Sequence, residues 1–93
     1  MNNNLQYLKV EWLHDLPDEP VAIYMELDLN RWEKRKVEVY ADGTYNYADE
    51  DYASENTGLS IEPIPPLGEM TEEFSPHIID ATEFERIWSM TRK

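Results

Sequence analysis

Two histidines and a group of nearby carboxylates are the side chains of this sequence that could do chemistry. His14 directly precedes Asp15, and Asp18 and Glu19 follow within five residues, whereas His77 has no partner that the sequence indicates. A histidine beside a carboxylate can act as a general acid or base, and the same groups can ligate a hard cation. We expect neither, because two prolines crowd these acids and their spacing matches no metal-binding loop. A small enzyme or metal-binding domain that uses His14 with Asp15, Asp18 or Glu19 stays open as an alternative.

The motifs that usually accompany catalysis or metal binding are missing from the sequence. The chain has no cysteine, which excludes disulfides and thiolate metal sites, and its three glycines form no phosphate loop. Asp28-Leu29-Asn30 resembles the start of an EF-hand loop, but Trp32 and Glu33 stand where later ligands and the turn glycine belong. We therefore predict that the protein is not an enzyme, binds no metal and needs no cofactor.

A segment that combines tyrosines with acids is the strongest candidate for a binding site. Tyr45–Asn56, with the sequence YNYADEDYASEN, contains three tyrosines, four acids and no basic residue. Tyrosine is favoured at the energetic centre of protein interfaces, and acids accelerate encounter with a basic partner. In the alternative view, Tyr45 and Tyr47 face a core and only the loop acids are solvated. The candidate contact residues in this segment are Tyr47, Asp49, Glu50, Asp51, Tyr52 and Glu55.

Negative charge is concentrated in the middle of the chain. Residues 1–40 carry eight acids and five bases, residues 41–85 carry twelve acids and no base, and residues 86–93 carry three bases, giving −12 overall. Such a field repels nucleic acids and anionic membranes and attracts basic proteins. The basic run between Arg31 and Lys36 is interrupted by Glu33, and Arg35 faces away from its neighbours on a strand. We expect a basic protein partner, with no direct nucleic-acid binding and no membrane.

The length and the hydropathy of the chain are typical of one small domain, spanning residues 1–93. No apolar run approaches the length of about 18–20 residues that a membrane span requires. The first ten residues, MNNNLQYLKV, lack the charged and apolar regions of a signal peptide. We expect a cytoplasmic protein whose oligomeric state the sequence leaves open.

Four segments with alternating apolar residues predict β-strands at about 5–14, 21–27, 32–41 and 44–48. In the first of them, Leu8, Val10 and Trp12 are expected on a single buried face, with Tyr7 on the opposite face. Asp42-Gly43, between the last two strands, predicts a hairpin with a type I′ turn.

The second half of the chain is predicted to be mostly loop, followed by a helix. An acidic loop is expected at 49–58, a proline-rich extended segment at 59–67 and a second acidic connector at 68–76. Asp80, with Glu83 three residues later, predicts a helix N-terminus, and the helix is expected over about 81–92. The predicted fold class is α+β, a four-stranded antiparallel β-meander sheet with one C-terminal α-helix packed on it through Phe84, Ile87 and Trp88.

The chain also resembles a small family of uncharacterised bacterial proteins of about this length. The resemblance spans nearly the whole chain. It is carried by His14, Tyr24, Arg31, Asp42-Gly43, Tyr47-Ala48, Gly58 and Trp88 together with the strings YLKVEW at 7–12, PDEPV at 17–21, ELD at 26–28, RKVEV at 35–39, EPIP at 62–65 and EFE at 83–85. Some proteins of this type resemble immunity proteins of contact-dependent inhibition and other polymorphic toxin systems. The resemblance implies a toxin-inhibiting context and supplies no catalytic residue.

Residues outside this motif string are the expected place for specific recognition of a toxin. They form the segment Asp49–Asn56 and the connector Glu69–Ser75, which adds Glu69, Glu72 and Glu73 to the candidate contact residues. The PDEP turn, Arg31 and Arg35 are then expected to be structural.

The resulting hypothesis is an immunity protein, or antitoxin, that neutralises a basic toxin domain, with a ribonuclease as the preferred case. Carboxylates on such a protein can occupy a cationic cleft that normally holds phosphates. A nucleic-acid mimic that blocks some other DNA- or RNA-binding protein is the first alternative, and the His14 enzyme or metal-binding domain is the second. The sequence does not distinguish occlusion of the active site from binding elsewhere on the toxin.

Overall fold

The computed structural model describes residues 5–53, 58–59, 64, 67–69 and 72–91. Its regular elements are the strands β1 (Gln6–Trp12), β2 (Ala22–Leu27), β3 (Glu33–Val39), β4 (Tyr45–Asp49) and β5 (Phe74–Ile79), a 3-10 helix (Leu67–Glu69) and the helix α1 (Ala81–Met90). The fold is α+β, as predicted, with an antiparallel sheet and one C-terminal helix. No helix within the described ranges is long and apolar enough to cross a membrane.

The sheet has five strands in the order β4-β3-β2-β1-β5, so the prediction of four strands is wrong. The additional strand, β5, includes part of the stretch predicted as an acidic connector. Its central Pro76 argues against a strand in the interior of a sheet, but β5 is an edge strand. Leu13 N–H donates to Glu73 O at 2.7 Å, so the backbone N–H and C=O groups of the odd-numbered residues of β5 point toward β1. The backbone nitrogen of Pro76, which has no hydrogen to donate, therefore points to the outer edge of the sheet.

The hairpin between β3 and β4 forms at Asp42-Gly43 as predicted, but its turn is not type I′. Gly43 has φ of 89°, whereas Asp42 does not have the positive φ that a type I′ turn also requires. Gly43 N–H donates to Tyr40 O, and Tyr40 N–H donates to Thr44 O, each at 2.9 Å. These bonds close a three-residue loop in which Gly43 supplies the left-handed residue.

Helix α1 begins where its capping signal predicts. The Asp80 carboxylate accepts the Glu83 N–H at 2.8 Å and so satisfies one of the backbone donors that the first turn leaves free. Phe84 and Trp88 are buried against the sheet and Ile87 packs beside them, which confirms the predicted apolar face. The described helix ends at Met90 rather than 92, and residues 92–93 lie outside the described part of the chain.

The sheet has an apolar core on each of its faces, so the expectation of a single buried face is wrong. Under α1, Tyr7 is only 7% exposed and packs with Val37 and the helix aromatics. On the opposite face, Leu8 and Val10 pack with residues of β2 and with Ile64, which belongs to the proline-rich segment predicted at 59–67. Both faces of the sheet therefore contribute buried side chains, and the alternation of apolar residues in β1 predicts only one of the two cores.

Arg31 fixes Ile64 over the second core. Ile64 N–H donates to Arg31 O, and Arg31 Nε donates to Ile64 O, both at 2.7 Å, while Arg31 also donates to Gln6 Oε1 at 3.1 Å. Arg31 has φ of 68°, a left-handed conformation that is costly for a residue with a Cβ. These three bonds offset the strain and hold the segment that covers the sheet.

Arg35 connects three elements on the helix side of the sheet. From β3, its Nε and Nη2 donate to the two carboxylate oxygens of Glu26 on β2, both at 2.7 Å, and the same guanidinium binds Glu85 on α1. Its Cζ lies 4.9 Å from the ring centroid of Phe84 and 5.1 Å from that of Trp88. The bonds to Glu26 hold the pKa of Arg35 above its usual value despite partial burial. The Glu26 side chain is only 7% exposed, so the loss of Arg35 would leave a nearly buried carboxylate without its partner.

We predict that Arg35→Met destabilises the protein by about 3 kcal/mol, because Glu26 loses its cation within a nearly buried site. Thermal unfolding should report a fall in Tm of about 4–8 °C for each kcal/mol lost. The double variant Arg35→Met with Glu26→Leu should recover most of that loss. Glu85→Gln, which removes only the exposed carboxylate, should cost less than about 1 kcal/mol. A double variant as unstable as Arg35→Met alone would contradict this account.

Candidate functional site

Both ring nitrogens of His14 are used within the turn that follows β1. Nδ1 accepts the Leu16 N–H at 2.9 Å, and Nε2 lies 2.8 Å from Pro20 O, to which it donates in this tautomer. The ring also packs against Trp12, with centroids 4.3 Å apart. A general base or a metal ligand needs a free nitrogen, and this arrangement leaves His14 none. The geometry therefore gives no support to the enzyme or metal-binding alternative at His14.

His77 lies on β5 and has two polar neighbours. Its Nε2 is 3.3 Å from Ser75 Oγ and 3.4 Å from Glu11 Oε1. A catalytic serine–histidine–carboxylate array uses one ring nitrogen for the nucleophile and the other for the carboxylate. Here both contacts involve the same nitrogen. Among the residues that the structure describes, no group of three or more possible metal ligands is found.

The basic side chains of the described chain are mostly engaged within the molecule. Lys34 binds Glu50 at 2.6 Å, Lys36 binds the buried Glu33 at 3.3 Å, and Lys9 lies 4.0 Å from Glu11. Arg31 and Arg35 make the contacts described above, as a structural role requires. Arg86 is exposed and makes no ion pair with any described residue. The basic run at 31–36 is thus a set of internal contacts and not a surface patch.

Many acids, in contrast, face solvent without a cation. Within the described ranges, the exposed carboxylates that make no ion pair are Asp15, Asp18, Glu19, Asp42, Asp51, Glu69, Glu72, Glu73 and Asp80. A partner therefore meets the negative charge of the protein almost uncompensated.

The predicted acid–tyrosine segment forms a tight turn at the end of β4, which we call the β4 corner and define as residues 49–52. The Asp49 carboxylate accepts the N–H groups of Asp51 and Tyr52, each at 2.9 Å, and Asp49 N–H donates to Tyr52 O at 2.7 Å. Ala48 and Ala53 form a bridge just outside the turn. Asp49 is thus the residue that orders the corner, whereas Glu50 and Asp51 are exposed, and the Glu50 carboxylate binds Lys34.

Tyr52 is the exposed end of a series of aromatic rings that begins in the core. Its ring lies 5.3 Å from that of Tyr47, which meets Trp88 edge-on at 5.7 Å, and Trp88 is stacked on Phe84 at 6.2 Å. Tyr47 is half-buried beside the helix, while Tyr52 is 54% exposed. The tyrosines predicted for binding therefore divide, with Tyr47 serving as a support and Tyr52 as the accessible ring.

Two of the other candidate residues lie far from the β4 corner. Glu72 and Glu73 are exposed just before β5, at the opposite edge of the sheet, and four strand spacings separate the two edges by about 19 Å across the strands. They also lie at the opposite end of the strands, because Glu73 pairs with the end of β1. Glu69 is exposed in the 3-10 helix, and Glu55 lies outside the described residues. The predicted contact set therefore occupies at least two separate regions.

A cleft that the sequence prediction missed lies between the PDEP turn and the β3–β4 hairpin; we call it the hairpin cleft. It has a volume of about 790 Å³, and its lining includes Asp18, Glu19, Asp42, Tyr40, Tyr45 and Asn46. Partial burial raises the pKa of Tyr40, and the charges of Glu38 and Glu19 raise it further. Only the register of β3 with β4 and the path of the first turn bring these residues together, so no local sequence signal indicates the cleft.

The two tyrosines of the hairpin cleft have their hydroxyl groups in contact with other side chains of the protein. Tyr40 accepts a hydrogen bond from Asn46 at 3.0 Å, and the Tyr45 hydroxyl lies 3.9 Å from Met90 Sδ. Both rings are half-buried. The cleft supplies acids and shape, whereas the β4 corner supplies an accessible ring together with acids.

The protein is a small, strongly acidic α+β domain with a five-stranded antiparallel sheet and one α-helix among the described residues. The family described as "Domain of unknown function (DUF6881)" matches residues 6–93, so the chain belongs to that family. Comparison with curated proteins and with solved structures gives no match.

We predict that Asp49→Ala and Asp51→Ala, which change the net charge equally, differ in their structural effect. Asp49→Ala removes two hydrogen bonds and should lower the free energy of unfolding by about 1–2 kcal/mol. It should also reduce the ring-current shifts that Tyr47 and Tyr52 impose on each other. Asp51→Ala should stay within about 0.5 kcal/mol of the parent protein. Denaturant titration with NMR of the two rings checks this, and equal effects would contradict the role of Asp49.

We predict a pH effect in the hairpin cleft at Asp42. The Thr44 hydroxyl, at 2.7 Å, and the Thr44 N–H, at 3.0 Å, hold the pKa of Asp42 below its ordinary value of 3.8. The stabilisation from this ionised carboxylate is present above the ordinary pKa and is lost as the pH falls through the lowered one. In an NMR titration, Thr44→Val should raise the pKa of Asp42 and Thr44→Ser should preserve it. An unchanged pKa in Thr44→Val would show that the hydroxyl is not the cause.

Proposed function

We propose that this protein is an immunity protein, a cytoplasmic and stoichiometric inhibitor that binds a basic toxin domain. The observation that carries the proposal is the division of charge in the folded chain. The described cations, apart from Arg86, contact other groups of the protein, while a larger set of carboxylates faces solvent. A net charge with a magnitude of about 2–8 is enough to keep a small domain in solution, and the −12 of this chain exceeds it.

A nuclease is the toxin that this surface suits best. Nuclease clefts are cationic because they bind phosphates, and surface carboxylates can occupy the same positions. Long-range attraction between the two proteins would raise the association rate by about 10–10³-fold at low ionic strength. Rapid and tight capture is the property that an inhibitor of a toxic enzyme requires. The resemblance of the motif string to immunity proteins of polymorphic toxin systems points in the same direction.

The β4 corner is the contact surface that we propose for the toxin. Energetic centres of interfaces are enriched in aromatic side chains that are ordered before binding. Tyr52 meets this description, because Asp49 orders its backbone and Tyr47 supports its ring. Glu50 and Asp51 add negative charge within the same turn. The hairpin cleft is the competing surface. We rank it second because its tyrosine rings are half-buried and already hydrogen-bonded or packed within the protein.

The test is calorimetric titration of the purified protein against the toxin domain encoded beside its gene, with toxin activity measured in parallel. We expect one-to-one binding, complete inhibition at equivalence, and an affinity that falls between 50 and 500 mM salt as charges are screened, at Debye lengths of about 14 to 4 Å. Absence of binding at low salt would overturn the proposal. Comparable binding to several unrelated nucleic-acid-binding proteins would favour a nucleic-acid mimic instead.

Charge-matched variants identify the surface. Asp51→Asn with Tyr52→Leu removes one charge and the ring from the β4 corner, and Asp18→Asn with Ala41→Leu removes the same charge from the hairpin cleft and fills part of the cleft with a larger apolar side chain. We expect the first pair to weaken toxin binding by at least about tenfold, because it removes an anchoring ring. The second pair should change it by less than about threefold, through long-range charge alone. The reverse result would move the contact to the hairpin cleft.

A further inference from the structure

The protein already contains one arginine seated between aromatic rings and carboxylates. The Arg35 guanidinium packs on Phe84 and Trp88 while it donates to Glu26 and Glu85. A planar guanidinium can stack on a ring and bind a carboxylate at the same time, which an ammonium group does less well. This internal arrangement shows which chemistry matches a ring flanked by carboxylates.

The β4 corner offers the same groups on the outside of the molecule. The Tyr47 ring lies 5.3 Å from the Tyr52 ring, tilted by 34°, and Tyr52 is 54% exposed. Asp51 has no cation among the described residues, and Glu50, two residues from Tyr52, holds Lys34 at 2.6 Å. The bond to Glu50, and then its charge, raise the pKa of Lys34. A cation of this chain therefore already occupies one of the two carboxylates that directly precede the exposed ring in sequence.

We propose that Tyr52, Glu50 and Asp51 form a receptor for one arginine side chain of a basic partner, in which the guanidinium stacks on Tyr52 and replaces Lys34 at Glu50. The inference rests on the proposed function, since it specifies how the same corner would hold a toxin. Exposed ion pairs contribute little to stability, so exchange of Lys34 is easy. Lysine gives a point charge to one carboxylate, whereas arginine can engage the ring and two carboxylate oxygens together.

The replacement of Lys34 predicts an effect that general electrostatic attraction does not. Removing Lys34 frees Glu50, whereas removing Arg86 makes the same change in net charge at a residue that has no ion pair with the described acids. Lys34→Met should therefore tighten arginine binding by roughly threefold, and Arg86→Gln should leave it nearly unchanged. A purely long-range field would respond to both substitutions alike.

The experiment is an ¹⁵N NMR titration of the full chain with the capped peptide acetyl-Gly-Arg-Gly-amide, and with its lysine counterpart as comparator. We expect saturable shifts centred on the amides of residues 50–52, with tighter binding of the arginine peptide. Tyr52→Phe should retain binding, and Tyr52→Leu should weaken it by at least about tenfold. Dispersed spectra of each variant establish that the fold is intact.

Three results would overturn the proposal: shifts centred on the hairpin cleft, binding that persists in Tyr52→Leu, or equal effects of Lys34→Met and Arg86→Gln. The titration contains no toxin, so its outcome is separate from that of the proposed function. Arginine binding at the corner without toxin inhibition would leave this inference standing and remove the immunity proposal. Toxin binding whose affinity is unchanged in Tyr52→Leu would do the opposite.

Discussion

The packing of the helix on the sheet depends on the contacts of the Arg35 guanidinium. It is the group that joins the β2–β3 pair to α1, through Glu26 on one side and Glu85 on the other. Glu26 is nearly buried, so the cation cannot leave without exposing an uncompensated charge to a low dielectric. The same group packs on Phe84 and Trp88, which fixes the rotation of the helix about its axis. Trp88 contacts the Tyr47 ring, and Tyr47 contacts Tyr52, so a series of ring contacts connects Arg35 with the β4 corner, whose backbone is ordered by Asp49.

Local signals in the sequence explain which parts of the fold were predictable. The first four strands follow from alternation of period two, and the start of α1 follows from Asp80 and the spacing of its apolar residues. β5 has no such signal, because Pro76 suggests a loop and only its position at the edge of the sheet makes that proline acceptable. The second core was missed for a related reason. Tyr7 carries a polar hydroxyl and alternates with aliphatic residues, and only the nonlocal packing of α1 shows that it is buried.

The candidate site was predictable in composition and not in geometry. The sequence predicted an acid–tyrosine contact region, and the structure does show an exposed ring beside acids at the β4 corner. It could not show that Asp49 would serve the turn rather than a partner, because that role depends on backbone N–H groups in one particular conformation. It also could not separate Glu72 and Glu73 from the corner. Charge alone groups these acidic residues together, whereas the strand order places them at opposite edges of the sheet.

The use of charge in this fold links its stability to its proposed activity. Net charge of one sign destabilises a compact state through self-repulsion, and a chain with −12 could reduce that repulsion by distributing its few cations among the exposed acids. The fold instead places Arg35 and Lys36 against the nearly buried Glu26 and Glu33, where unpaired carboxylates would be most costly. Most of the exposed acids within the described ranges are left without a cation as a result, although Glu50 and Glu85 each have one. A basic partner would relieve the remaining repulsion on binding, so the same distribution that limits the stability of the free protein would strengthen its complex.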